Sequence, residues 1–111
     1  MQREEIMLPH GPGFDRVPIH QIQYIESDKR LCKVVTAARS YTLYASIRGF
    51  EKLLSGSQFL RIHKRYIISM DYVQYIGKAE IKMEGRAFPV SRKAMVAMQA
   101  MFLQIRTKPH I

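Results

Sequence analysis

Residues 59–70 read FLRIHKRYIISM, and no fold of a 111-residue chain can bury that segment whole. Arg61, His63, Lys64 and Arg65 stand together with no acid among them. Phe59 and Leu60 flank them on one side, and Tyr66, Ile67 and Ile68 on the other. Unpaired charges stay at the surface because removing them from water is expensive, whereas the apolar flanks gain by burial. The segment is therefore expected to fold as two buried anchors that hold a cationic centre out in solvent. A rigid cationic protrusion suits a polyanion, which points to nucleic acid.

Length and composition bound the alternatives. A chain of 111 residues makes one domain with one modest core. Its hydrophobic share of 47% excludes general disorder. No apolar run reaches the ~18 residues needed to span a bilayer. Arg3, Glu4 and Glu5 precede only a short apolar run, which is not the layout of a secretory signal. Cys32 is the single cysteine, so no internal disulfide forms; a reducing, cytoplasmic setting is expected. Lys and Arg number 18 against 9 Asp and Glu, a formal net charge of +9. The charges are also segregated. Lys29, Arg30, Lys33, Arg39 and Arg48 run between Asp28 and Glu51 with no acid, and Arg86, Arg92, Lys93, Arg106 and Lys108 follow Gly85 likewise. Such a chain can fold with one positive face.

Residues 1–13 are expected to be a tail or linker ending in the breaker cluster Pro9-His10-Gly11-Pro12-Gly13. Residues 14–105 are expected to form the domain and 106–111 a C-terminal tail. Val17–Ile25 mixes β-branched and aromatic residues as a half-buried strand does. Residues 27–30 read as a turn, Leu31–Thr36 as the next strand, and Ser40–Tyr44 as its hairpin partner. A helical period follows, with Ile47, Phe50, Leu53 and Leu54 on one face, Ser46 as N-cap and Gly56 as terminator. Ile67-Ile68 and Val73–Ile76 look like strands, and residues 78–83 and 86–90 pair across Glu84-Gly85. Ser91 caps a last helix to about Ile105, whose stripe is Met95, Met98, Phe102 and Ile105. The pattern predicts a mostly antiparallel β domain of roughly seven or eight short strands with a central and a C-terminal helix.

The order Tyr24-Ile25-Glu26-Ser27, then Val34-Val35-Thr36, then a helix at 46–54, then the 59–68 segment, then Phe88-Pro89-Val90-Ser91-Arg92 resembles the LytTR family. These are DNA-binding output domains of bacterial response regulators, and the resemblance covers roughly residues 17–95. It implies an elongated stack of small antiparallel sheets that inserts loops, not a recognition helix, into the DNA major groove. It further implies transcription regulation in two-component signalling, an upstream receiver or sensor domain in a longer protein, and a homodimer on double-stranded DNA.

Placed on this sequence, the family's base-reading positions match Leu31–Lys33, Lys64 and Arg92. Leu31 and Cys32 offer little hydrogen bonding where members often carry a polar residue, which leaves the first contact to Lys33 or Arg30. Arg30, Cys32, Arg61, His63, Arg65, Ser91 and Lys93 are then expected to touch phosphates or brace the loops. His63 is open between a buried orienting residue and a direct contact, and Arg30 between a solvated turn and a phosphate contact. The side-chain chemistry fits independently: an Arg fork matches guanine O6 and N7, Lys reaches the same atoms, and a capped helix start favours a phosphate.

Two other classes are compatible with the sequence alone. An RNA-binding β domain would stack bases on Tyr41, Tyr44 and Tyr66, and a basic interaction module would bind an acidic partner. Catalysis is not expected. His10, His20, His63 and His110 show no metal spacing, and no phosphate-cradling glycine loop or cofactor motif is present.

Overall fold

The computed structural model describes residues 4–106, with side chains to Met101. Ten strands and two helices build three small antiparallel sheets in a body of 55 × 27 × 26 Å. Strands β1 (Glu5–His10) and β2 (Gly13–Pro18) form the first sheet alone. Strands β3 (Ile22–Asp28), β4 (Leu31–Thr36), β5 (Ser40–Tyr44), β6 (Phe59–His63) and β7 (Tyr66–Ser69) form the central sheet in the order β5-β4-β3-β7-β6. Strands β8 (Tyr75–Ile76), β9 (Glu80–Met83) and β10 (Arg86–Pro89) form the third. Helix α1 (Ile47–Leu53) joins β5 to β6, and α2 (Arg92–Arg106) follows β10.

The central sheet has a core on each face. On one side Ile22, Ile25, Cys32, Val34 and Ile67 meet Ile6, Leu8 and Val17 of the hairpin and Phe50 of α1. On the other, Tyr24, Ile62, Tyr66 and Ile68 meet Ile81, Met83 and Phe88 of the third sheet and Met95 and Met98 of α2. The middle strand β3 is thus buried on both sides from Ile22 to Ile25, not half-buried as its polar and apolar texture suggests. A bulge between Ile22 and Tyr24 reverses the alternation, so Ile22 and Ile25 share one face and Tyr24 takes the other.

Several expectations need correction. Residues 5–10 are a strand and not part of a tail, because Gly11 adopts φ 59° and closes β1 onto β2, burying Ile6 and Leu8. The single strand expected over 17–25 breaks at a 3-10 turn, Ile19–Gln21, just after Pro18, which has no amide to extend a ladder. Only Tyr75–Ile76 of the stretch 73–76 pairs. Leu53 is exposed, leaving Ile47, Phe50 and Leu54 as the buried face of α1. The stripe of the last helix is buried at Met95 and Met98; Phe102 and Ile105 lie outside the described side chains.

Candidate nucleic-acid interface

The antiparallel register brings two basic turns to one end of the central sheet. Glu26 of β3 faces both Lys33 of β4 and Tyr66 of β7, so the turns after β3 and after β6 lie side by side. The first holds Lys29, at φ 58°, and Arg30; the second holds Lys64 and Arg65. Two backbone and side-chain bonds join them: the Ser27 N–H donates to the Arg65 carbonyl at 2.9 Å, and Arg65 Nε donates to the Ser27 carbonyl at 3.1 Å.

The turn that carries Lys64 is braced from within. Arg61 donates through Nη2 to the Lys64 carbonyl at 2.8 Å, through Nε to the His63 carbonyl at 3.3 Å, and through Nη1 to Glu51 at 3.0 Å. A register shift between Arg61 and His63 keeps Ile62 in the core while His63 stands against Tyr66, ring centroids 5.7 Å apart. His63 Nδ1 accepts the Arg65 amide at 3.2 Å, which assigns this nitrogen as the unprotonated one and makes His63 a brace of the turn.

The start of α2 is tied to the same place. The Ser91 N–H donates to the Ile62 carbonyl at 2.7 Å, while Ser91 Oγ caps the helix by accepting the Ala94 amide at 3.1 Å. A cleft of about 330 Å³ separates the two, lined by Arg61, His63, Lys64, Ser91 and Lys93 among others. Arg92, exposed, is the first residue of the helix between Ser91 and Lys93. Among the described residues, Lys64, Arg92, Lys93 and Arg30 make no ion pair, whereas the nearby acids Glu51 and Glu26 are taken up by Arg61, Arg65 and Arg86. The local balance is therefore positive.

Lys33 stands apart from this cleft. It lies two strand spacings, about 10 Å, from Tyr66, exposed on the same sheet face over a hollow of about 270 Å³ that Glu26, Asp28, Leu31 and Thr42 also line. Cys32 is corrected as a phosphate contact: it points into the opposite core, fully buried, with its thiol donating to the Ala45 carbonyl at 3.3 Å. Burial pushes its pKa up, so it supports the loop after β5 as a neutral thiol. Arg30 is exposed, and its carbonyl accepts the Ala45 amide at 3.3 Å. Of the three tyrosines expected to stack bases, Tyr41 and Tyr66 are buried and Tyr44 is exposed, so these three do not form one stacking surface.

One neighbour of the site has no local sequence signal. The Arg86 guanidinium lies 4.6 Å from the Phe88 ring centroid and 5.5 Å from those of Tyr24 and Tyr66. Partial burial opposes its charge, but hydrogen bonds to Tyr24 and Glu26 outweigh that and hold its pKa above the ordinary value. Apart from Phe88 on the same strand, its partners Tyr24, Glu26 and Tyr66 are distant in the chain, so only folding brings them together.

The family model described as the LytTr DNA-binding domain matches residues 14–103. The chain belongs to the LytTR family. It is accordingly a DNA-binding domain. Its fold is similar to that of the LytTr DNA-binding domain of a protein from Bacillus cereus described as a methyl-accepting/DNA response regulator. The TM-score is 0.76 at 22% identity, with 90% of this chain and 97% of that one covered. No curated protein matches the sequence. Two of the LytTR motif segments of this chain meet at the cleft: Leu60, Arg61, His63 and Lys64 line one wall and Ser91 the other.

Proposed function

We propose that this domain binds specific double-stranded DNA sequences as the output domain of a bacterial, cytoplasmic transcription regulator of the response-regulator type. Its loops enter the major groove. Lys64 reads base edges from one wall of the cleft, Arg92 from the exposed start of α2 beside it, and Lys33 from the adjoining strand. Arg30, Arg65 and Lys93 meet phosphates, while Arg61, His63, Ser91 and Cys32 hold the loops that carry them. Most of the affinity then comes from phosphates and most of the discrimination from the few base contacts. The domain acts as a homodimer on two half-sites about one helical turn, or a small multiple of it, apart, under an upstream receiver or sensor domain.

The observation that carries this reading is the 2.7 Å hydrogen bond from Ser91 to Ile62, which fixes the start of α2 beside the Lys64 turn. A groove-reading surface needs two elements at a constant separation, and this bond supplies it. The test is selection of bound duplexes from a random pool, followed by a salt titration of the winner. An enriched two-part motif with a steep salt slope is expected. Equal retention of every duplex, or equal binding to single-stranded RNA and anionic vesicles, would sink the reading.

A further inference from the structure

We propose that Arg86 is a positioning residue for the basic turn, acting through Glu26 and Tyr66 to fix where Lys64 and Arg65 are presented. Its consequence for binding rests on the DNA reading above; the coupling within the protein does not.

Arg86 reaches the turn from a different sheet. Its Nη1 donates to the Tyr24 hydroxyl at 3.2 Å and to Glu26 Oε1 at 3.3 Å, and its Nη2 donates to the Tyr66 hydroxyl at 3.0 Å. The other Glu26 oxygen, Oε2, accepts Arg65 Nη2 at 3.4 Å. Arg65 is in turn latched to Ser27 through both its Nε and its carbonyl. Tyr66 is the residue that closes the turn, and the His63 ring leans on it. Phe88 of the third sheet packs edge-on against the Tyr66 ring at 5.3 Å, but the polar link to the turn's two supports runs through one guanidinium: among the described residues no other side chain of that sheet hydrogen-bonds to Glu26 or to the Tyr66 hydroxyl.

The residue type matters. A planar fork can lie flat on Phe88 while its edge donates to three oxygens, which a single ammonium cannot do. Without it, Glu26 would face Arg65 with its full charge. The carboxylate would draw that side chain down onto the sheet and set a negative charge beside the phosphate path. Arg86 shares the carboxylate and leaves Arg65 in its place over Ser27.

The test uses the full chain carrying Arg86→Met, Glu26→Gln, or both. Amide exchange at Ser27, whose N–H is held by the Arg65 carbonyl, is read in free protein, and affinity is read on the selected duplex. Arg86→Met is expected to speed Ser27 exchange several-fold. It should also weaken binding about fivefold, the size of one charge-assisted hydrogen bond at a partly exposed site. In the Glu26→Gln background the further loss from Arg86→Met should shrink to the part carried by Tyr66, because the ionic link through Glu26 is already cut. Equal losses in the two backgrounds, or unchanged Ser27 exchange, would overturn the proposal. Should Arg86→Met fail to fold, Arg86→Lys keeps the charge and is expected to show the same faster exchange; wild-type exchange there also overturns it. If wild-type protein prefers no duplex, the DNA reading fails, and the exchange measurement alone decides the coupling.

Discussion

Arg61 turns its guanidinium inward, onto Glu51 and the carbonyls of His63 and Lys64, whereas Lys64 leaves its ammonium in solvent. Two neighbouring cations are therefore placed differently, one holding the backbone and one open to solvent. Lys64→Ala should lower affinity for the selected duplex by about 1–3 kcal/mol and flatten the preference at one base position. Arg92→Ala should do the same at a position read from the start of α2. Arg61→Ala frees the turn and so should weaken binding to every duplex alike. Binding isotherms on single-base operator variants separate these cases. A uniform loss from Lys64→Ala would mark it as a phosphate contact instead.

Among the elements, the β9–β10 hairpin matters most for the site because it delivers Arg86. Its turn places Glu84 at φ 50° and Gly85 at φ 74°, both left-handed, as a two-residue turn matched to strand twist requires. Glycine tolerates this at no steric penalty; glutamate does not. A Cβ at Gly85 would meet nothing within 4 Å, so Gly85→Ala carries only backbone strain. It should lose about 1 kcal/mol of stability, the usual penalty for a non-glycine residue in that conformation. Glu84→Asn should gain several tenths of a kcal/mol, since asparagine accepts the conformation more readily. Urea unfolding midpoints check both, and a loss with Glu84→Asn would contradict the turn assignment.

On the scale of the whole molecule, three small sheets act as one body because side chains bridge them. The β1–β2 hairpin is latched to the central sheet by Asp15, which accepts the Tyr41 hydroxyl at 2.8 Å and sits 3.2 Å from His10 Nδ1. Arg39 closes the cluster by donating to the His10 ring. The Tyr41 hydroxyl first, and then His10, hold the Asp15 carboxyl below its ordinary value of 3.8. A depressed carboxylate pKa stabilises the fold above the unfolded value, and the contribution is lost as pH falls through the folded one. Asp15→Asn should therefore be less stable than wild type at neutral pH, with the difference closing in acid below 3.8. Unfolding midpoints at neutral pH and at about pH 3 test this. A difference that stays constant would show that the carboxylate charge is not involved.

The sequence by itself determined the local features. Turn chemistry, caps and the two periods placed the Glu84-Gly85 hairpin, the Ser46 and Ser91 caps and the strands at 31–36 and 40–44, because each depends on residues a few positions apart. The clustering of Arg61, His63, Lys64 and Arg65 was legible for the same reason. What tertiary structure alone decided is pairing at long range. Neither the capture of residues 5–10 as a strand nor the bulge that sends Ile22 and Ile25 to one face is written in a short window. Cys32 and Lys33 look equivalent as neighbours, yet alternation across a sheet buried on both faces sends one inward and one outward. The Arg86 cage is the extreme case: Phe88 is on its own strand, but Tyr24, Glu26 and Tyr66 come from two strands of another sheet, and burial energy gathers them without leaving a pattern in the chain.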